Sequence, residues 1–288
     1  MSDKSPHAST NRQVIDKILN RLAEAEQPLP SSLEFYRRVL TIQNEAKLPD
    51  LSDVLTELKK KAIERLSQGK PTIAFPDLKI DWAGFQKLFN EVVDLTAEFL
   101  SPEAKELDEL KQAGTNLNTL KDEAKRWFGL KTLPHNSTTK SDTIKPLLSS
   151  VLQATFYPFL TAYADTLLPS VSQEAWHKRY CPICGGDPDF AFLDKEQDGA
   201  RWLLCSRCDA TWLFYRLVCP HCGNDDQKTL AYFTDDTNLY RLYVCEKCHR
   251  YLKSIDLRKT ETEILLPLER ILTLDLDRQA HESNYKSE

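Results

Sequence analysis

The residues best suited to chemistry in this 288-residue chain are its eight cysteines, all of which fall in C-x-x-C pairs. Two thiolates separated by two residues can face one metal ion from a single tight turn, and two such turns complete a tetrahedral four-sulfur site. The pairs are Cys181 and Cys184, Cys205 and Cys208, Cys219 and Cys222, and Cys245 and Cys248. The sequence therefore predicts two metal ions, each held by four cysteines.

The spacing favours sites made from neighbouring pairs. Twenty residues separate the first two pairs and 22 separate the last two, within or just beyond the range typical of zinc ribbons. Gly185 and Gly223 each follow a pair, where the curled backbone of a metal knuckle often needs a positive φ that glycine adopts without strain. These features indicate two ribbon-like sites in tandem.

The sequence around the cysteines is itself repeated. The run Arg-Trp-Leu-Leu at 201–204 leads into one pair, and Arg-Leu-Tyr-Val at 241–244 leads into the corresponding pair. A period of about 40 residues indicates two copies of one supersecondary unit. Apolar or alternating runs also predict strands at 190–192, 240–244 and 251–255.

Disulfide bonds are the alternative use of these cysteines. Disulfide frameworks belong mainly to small secreted chains, whereas this chain opens with Met-Ser-Asp-Lys-Ser-Pro-His and shows no apolar run resembling a signal peptide. We therefore expect metal ligation and a cytoplasmic location. No stretch approaches the roughly 18 uninterrupted apolar residues of a membrane helix, so no membrane association is expected.

Composition and charge limit the remaining classes. The chain is 41% hydrophobic with a mean hydropathy of −0.47 and a net charge of −5, values typical of a globular protein of one large or two ordinary domains. The cysteine region, residues 178–258, carries twelve basic and twelve acidic residues. Because phosphate neutralisation supplies much of nucleic-acid affinity, the neutral charge of this region argues against nucleic-acid binding.

Outside the cysteine region, the sequence mainly predicts helices. Capping boxes at 10–13 and 31–34 predict two helix starts, and a long apolar helix is predicted at 144–168, kinked or split by Pro158. Residues 130–143 lack periodicity and predict a loop, and a last helix is predicted at 268–280. The predicted fold class is a multidomain α and β chain, in which an all-α domain precedes two tandem rubredoxin-like or zinc-ribbon modules. Its predicted segments are a helical domain (1–175), two modules (176–217 and 218–258) and a C-terminal helix and tail (259–288).

Several sequence motifs of this chain resemble those of a known family, the formate dehydrogenase accessory proteins (FdhE). The resemblance covers about residues 176–285. Its motifs are Arg179-Tyr180-Cys181-Pro182-x-Cys184-Gly185, Cys205-x-x-Cys208 followed by Trp212, Arg216 ahead of Cys219-x-x-Cys222, Cys245-x-x-Cys248-x-x-Tyr251-Leu252-Lys253, and the end from Leu274-Asp275-Leu276-Asp277 to Tyr285.

The resemblance implies a non-enzymatic, cytoplasmic maturation factor required for formate dehydrogenase activity. It implies that the chain binds the catalytic subunit of that enzyme before export through the twin-arginine pathway, and that its knuckles form rubredoxin-like iron sites. Iron is therefore favoured and zinc remains possible, since four thiolates suit both metals. Asp209 and His249 stand where rubredoxin knuckles carry glycine, which weakens the case for iron.

Other functions remain open. A rubredoxin-like electron carrier is the main alternative, and thiol exchange is disfavoured because these cysteines follow strand-like runs and are matched in fours. We find no Gly-rich phosphate loop, G-x-S-x-G or H-E-x-x-H motif.

The aromatic residues near the pairs are expected in the module core, and the nearby histidines are expected near the metals or at the surface rather than as ligands. These residues are Trp202, Trp212 and Tyr251, and His177, His221 and His249.

Overall fold

The computed structural model describes residues 10–130 and 144–287. The predicted loop at 130–143 lies, apart from its first residue, outside these described residues. Two compact units are distinguished: one holds the described residues up to Ala62 together with Thr72–Leu167, and the other holds Ile63–Pro71 and the residues from Leu168 onward. The predicted fold class, an all-α region followed by ribbon-like modules, is confirmed: helices precede a β region that carries two four-cysteine clusters. The four predicted segment boundaries stay predictions.

Seven helices precede the sheet in the described chain. They are α1 (Asn11–Glu24), α2 (Ser31–Asn44), α3 (Leu55–Ser67), α4 (Trp82–Leu100), α5 (Ala104–Thr115), α6 (Leu117–Leu130) and α7 (Pro146–Leu167). The predicted capping box of α1 is confirmed, since Thr10 accepts from the backbone of Gln13 and Gln13 caps Thr10 in return. The second predicted box is wrong: α2 begins one residue earlier, and its N-cap is Pro30, whose side chain offers no acceptor.

The long apolar helix α7 is one element rather than two. Pro158 lacks the N–H that would bond to the carbonyl of Ala154. The side-chain amide of Gln43, which is buried, donates to that carbonyl at 2.7 Å and satisfies it from another helix. Burial on several sides of α7 supports its predicted central place: Phe156 packs edge-on against Phe85 and stacks on Trp127.

One six-stranded sheet carries both copies of the cysteine repeat. Its strands are β1 (Pro188–Leu193), β2 (Arg201–Cys205), β3 (Thr211–Phe214), β4 (Leu230–Thr234), β5 (Tyr240–Cys245) and β6 (Arg250–Asp256), in the order β3-β2-β1-β6-β5-β4. Each copy forms an antiparallel three-stranded meander, and the two meanders join through the parallel pair β1 and β6. The three predicted strands are confirmed. The tandem modules are therefore halves of a single sheet, which the repeat alone did not predict.

Two short helices follow the sheet, α8 (Leu266–Leu272) and α9 (Leu274–Glu282). The single helix predicted at 268–280 is therefore corrected, because the chain leaves helical geometry at Thr273, the cap shared by both helices. Beyond α9, Lys286 forms an isolated bridge with Arg250 of β6. Within the described residues, we find no helix whose length and apolarity would suffice to cross a membrane.

Candidate metal centres

All four knuckles share one backbone conformation. The residue after the second cysteine of each pair has a positive φ: 74° at Gly185, 53° at Asp209, 78° at Gly223 and 52° at His249. The amide of this residue donates to the carbonyl of the first cysteine at distances between 2.8 and 3.3 Å. The glycine geometry predicted for two knuckles is therefore present in all four, and at two of them a residue with a side chain adopts it.

The first cluster is formed by Cys181, Cys184, Cys205 and Cys208, which are all buried. Their sulfurs lie 3.5 Å apart for Cys184 with Cys205, 3.5 Å for Cys184 with Cys208 and 3.6 Å for Cys181 with Cys208. A tetrahedral site with metal–sulfur bonds of about 2.3 Å places its sulfurs about 3.8 Å apart. The sulfurs of this cluster are therefore spaced to fit one tetrahedral metal ion.

The second cluster is formed by Cys219, Cys222, Cys245 and Cys248. The sulfur separations are 3.8 Å between Cys219 and Cys248 and 3.7 Å between Cys222 and Cys245. Unlike the first cluster, this one reaches the surface, because Cys222 is exposed and Cys248 is half-buried. The two clusters thus have the same donor set but differ in access to solvent.

Hydrogen-bond donors point at the sulfurs from the knuckle backbone and from one side chain. The amides of Ile183 and Arg207 lie 3.3 and 3.4 Å from the sulfurs of Cys181 and Cys205. In the second cluster, the side-chain amide of Asn224 lies 3.7 Å from the sulfur of Cys245. Such donors stabilise negative charge on a thiolate, the form that binds a metal.

Burial of four sulfurs together opposes their ionisation in the absence of a cation. Burial raises the pKa of Cys205 and Cys208 well above the ordinary value, and hydrogen bonds with Cys181 and Cys184 raise it further. The pKa of Cys184 is lowered well below its usual range, because hydrogen bonds from its neighbours outweigh the effect of burial. In the second cluster, burial raises the pKa of Cys219 to about 11. A bound cation would supply the charge that lets all four sulfurs of a cluster ionise, so this donor set fits a metal ion.

Gly186, the second glycine after Cys184, leaves space for the Arg207 side chain beside the first cluster. A Cβ on Gly186 would lie 2.6 Å from Cδ of Arg207 and 3.2 Å from the sulfur of Cys205. The buried Arg207 side chain passes this glycine and reaches the carbonyl of Cys184. Sequence reasoning missed Gly186, although the paired glycines after Cys184 were a visible signal.

The C-terminal helix α8 supports the second knuckle of the first cluster. Arg270 binds Asp209 at 2.5 Å, Asp189 at 3.0 Å and the carbonyl of Cys205 at 2.6 Å. Asp209 is the positive-φ residue of that knuckle, so its carboxylate anchors the turn that glycine closes elsewhere. No sequence signal pointed from Arg270 to this site.

The tail beyond α8 supports the last knuckle in the same way. Asp277 of α9 accepts from Lys253 at 2.6 Å and from the Tyr251 hydroxyl at 2.7 Å. The backbone amide of Lys286 donates to the carbonyl of His249 at 2.8 Å, and the Tyr285 hydroxyl binds Glu246 inside the knuckle. Tyr285 and Lys286 therefore hold the last knuckle of the second cluster in place.

The aromatic residues near the cysteine pairs lie in the core, and the nearby histidines lie outside both metal clusters. Trp202, Trp212 and Tyr251 are buried, as expected of module core. Across residues 10–130 and 144–287, the groups able to hold a metal ion consist of the eight cysteines, and the predicted histidines lie outside them. His221 contacts the carbonyl of Tyr251 at 2.9 Å, and the His177 ring stacks on Tyr215.

The fold and these sites define a class: a helical unit followed by a sheet with two four-cysteine clusters, each able to hold a metal ion.

A family model described as "FdhE, central domain" matches residues 180–216. The chain is 32% identical over 274 residues to a protein named "Protein FdhE homolog" from Aquifex aeolicus, covering 93% of this chain and 90% of that protein. A Shewanella oneidensis protein of the same name is 26% identical over 239 residues, covering 82% and 72%.

The fold has also been observed in a solved structure. The crystal structure of the FdhE protein from Pseudomonas aeruginosa matches with a TM-score of 0.58 at 21% sequence identity, covering 96% of this chain and 92% of that one. The predicted family resemblance is thus confirmed over nearly the whole length. The chain belongs to the FdhE family.

Proposed function

We propose that this chain is a formate dehydrogenase accessory protein whose eight cysteines bind two metal ions, four to each. The observation that carries the metal proposal is the sulfur spacing of 3.5 to 3.8 Å in both clusters. Membership of the FdhE family supports the accessory role. Four thiolates fill a tetrahedral site and leave no position for substrate, as in structural rather than catalytic metal centres. This supports a role other than that of an enzyme.

We propose iron as the metal at both sites, following the family resemblance. A tetrahedron of four thiolates suits zinc as well, and zinc is the alternative. When bound, either ion would hold the knuckles of its cluster together and add to the stability of the sheet. Elemental analysis of protein purified without oxygen tests this directly: two iron atoms per chain are expected, and two zinc atoms would overturn the choice of iron.

The proposed partner is the catalytic subunit of formate dehydrogenase, bound in the cytoplasm before the enzyme is exported. To test this, the tagged chain is produced with that subunit in cells that lack their own FdhE protein. Co-purification of the subunit and recovery of formate dehydrogenase activity are expected. Normal activity in the absence of the chain would overturn the accessory role, whereas restored activity without co-purification would overturn direct binding alone.

Electron transfer is a second candidate, and the exposure of Cys222 favours it. A metal centre that reaches the surface can exchange electrons with a docked partner more readily than a buried one, and the two clusters differ in this respect. Iron-loaded protein should then show a charge-transfer colour that bleaches on reduction and returns on oxidation. If a variant that keeps only the buried cluster supports full formate dehydrogenase activity, the exposed centre is not the required carrier.

A further inference from the structure

A groove with a volume of about 220 Å³ lies beside the second cluster. It crosses β4, β5 and β6 and is bounded by the segment 216–221, which leads into Cys219. The pairing of Tyr232 with Tyr243, and of Tyr243 with Leu252, places these three side chains on one sheet face. The opposite face carries Leu242 and other residues that pack with α9. The groove therefore occupies the sheet face that the C-terminal helices leave uncovered.

The polar lining of the groove is basic. Arg201, Arg216 and Arg250 line it and no described carboxylate does, while Cys219 and Cys245 of the second cluster form part of its wall. Arg250 already binds Asp187 and the carbonyl of Ser287. Arg216 is exposed and has no ion-pair partner within the described chain. A carboxylate from another molecule would therefore find a free guanidinium here.

Arg201 adds a second observation that points to an anionic ligand. Its side chain is buried, and it bonds to the main-chain carbonyls of Tyr215 and Val218. No carboxylate among the described residues lies within ion-pair distance, and its Nε has no hydrogen-bond partner. The guanidinium lies over the rings of Phe214 and Tyr243 rather than beside a carboxylate, so an incoming anion nearby would further stabilise this buried charge.

The groove opens onto a free sheet edge. Strand β4 pairs only with β5 and ends the sheet. The backbone amide of Asp235 donates to the carbonyl of Tyr240, and that of Glu246 donates to the carbonyl of Thr229. These two residue pairs are therefore hydrogen-bonded pairs of the ladder between β4 and β5. Because such pairs alternate along an antiparallel ladder, the amides of Tyr232 and Thr234 point away from β5. An extended peptide can bond to such an edge as an added strand.

Large apolar side chains flank this edge. Leu217 is 59% exposed and Tyr232 is 53% exposed, and both line the groove. We propose that the groove binds an extended segment of a partner polypeptide, which pairs with β4, sets an apolar side chain against Leu217 and Tyr232, and sets a carboxylate beside Arg216. The proposal does not depend on the identity of the client enzyme.

A random heptapeptide library displayed on phage, selected on the immobilised full-length, metal-loaded protein, tests this inference. We expect enriched peptides that alternate acidic and apolar residues. Synthetic fluorescent copies should bind the Arg216→Glu variant about tenfold more weakly, since a charge pair becomes a like-charge contact. Lys259→Glu is the matched control, because Lys259 is exposed and does not line the groove, and its affinity should stay within about twofold of wild type.

The strand-addition step has its own test. Tyr232→Pro and Tyr232→Ala both remove the ring, but only proline also removes the outward amide, so the proline variant should bind the selected peptides several-fold more weakly than the alanine variant. Hydrogen exchange at residues 230–234 should slow when peptide is bound. Metal content and circular dichroism establish that each variant is folded, and Leu217→Ser provides a second groove variant.

Three results would overturn the proposal: no enrichment, enrichment of basic peptides, or binding that Arg216→Glu and Leu217→Ser leave unchanged. Equal binding of the peptides by the proline and alanine variants would contradict the proposed pairing of the peptide with β4. The proposed accessory function is tested separately, because formate dehydrogenase activity plays no part in these measurements.

Discussion

Arg270 binds the carboxylate of Asp209 at 2.5 Å, and Asp209 closes the second knuckle of the first cluster at a φ of 53°. The Asp209 side chain is 2% exposed and that of Arg270 is 14% exposed. The ion pair is therefore largely shielded from water, and it joins α8 to a metal-binding turn 61 residues earlier in the chain. The knuckle thus depends on a helix that carries no metal ligand.

Replacing Arg270 tests this dependence. Arg270→Met removes the guanidinium that binds the buried Asp209 carboxylate, which should lower the free energy of unfolding by about 3 kcal/mol and speed metal loss from the first cluster. Arg278→Met is the control, because Arg278 and its partner Asp275 are both well exposed and their pair should contribute less than about 1 kcal/mol. Urea denaturation and chelator-induced metal release measure both effects, and equal losses for the two variants would contradict this role.

A pair of substitutions at Asp209 separates backbone strain from charge. Asp209→Gly and Asp209→Ala both lose the bond to Arg270, but glycine adopts a positive φ without a Cβ clash. The alanine variant should therefore be less stable than the glycine variant by about 1 kcal/mol. Equal unfolding midpoints in urea would show that the left-handed conformation is not under strain.

Gly186 should tolerate no side chain. The Cβ of Gly186→Ala would meet Cδ of Arg207 at 2.6 Å and the sulfur of Cys205 at 3.2 Å, so the first cluster should bind metal less tightly. Gly129→Ala in α6 is the matched control, since its added Cβ meets no atom of the described residues within 4 Å. Competition with a chromogenic chelator measures the affinity, and unchanged metal binding by Gly186→Ala would show that Arg207 can move aside freely.

The two clusters should lose metal at different rates. Cys222 is exposed, whereas all four cysteines of the first cluster are buried. A chelator should therefore remove metal in two phases, and the faster phase should belong to the second cluster. Cys222→Ser should abolish the fast phase and Cys184→Ser the slow one; the reverse assignment would contradict the difference in burial.

A buried tyrosine in the helical unit should make stability fall at high pH. Burial raises the pKa of Tyr163, whose hydroxyl accepts from the amide of Lys79 and donates to the carbonyl of Asp77. Because the pKa is higher in the folded state, this contribution is complete below the unfolded value near 10 and is lost as pH rises through the folded value. Tyr163→Phe should cost about 1 to 2 kcal/mol at pH 8 and progressively less above pH 10. A cost that is independent of pH would show that Tyr163 has the same pKa in the folded and unfolded states.

Local patterns in the sequence predicted the two metal sites, one helix start and the strands of the repeat. The spacing of the cysteines indicated two sites, and the structure brings the same eight residues together in two groups of four. The capping box of α1 and the strands of the repeat were predicted because each depends on residues a few positions apart. Asp209 and His249 stand in place of glycine, yet both adopt the left-handed conformation that glycine has in the other knuckles.

The sequence alone determined which residues form the clusters, the helical nature of the first half and the family, because short-range spacing and motif encode these features. Only the tertiary structure decided that β1 and β6 join both repeats into one sheet, that Arg270 anchors a knuckle of the first cluster and Asp277 anchors β6, and that one cluster is open to solvent. Arg270 lies 81 residues from its partner Asp189. Such contacts depend on how strands and helices pack, and no periodicity within either segment specifies its distant partner.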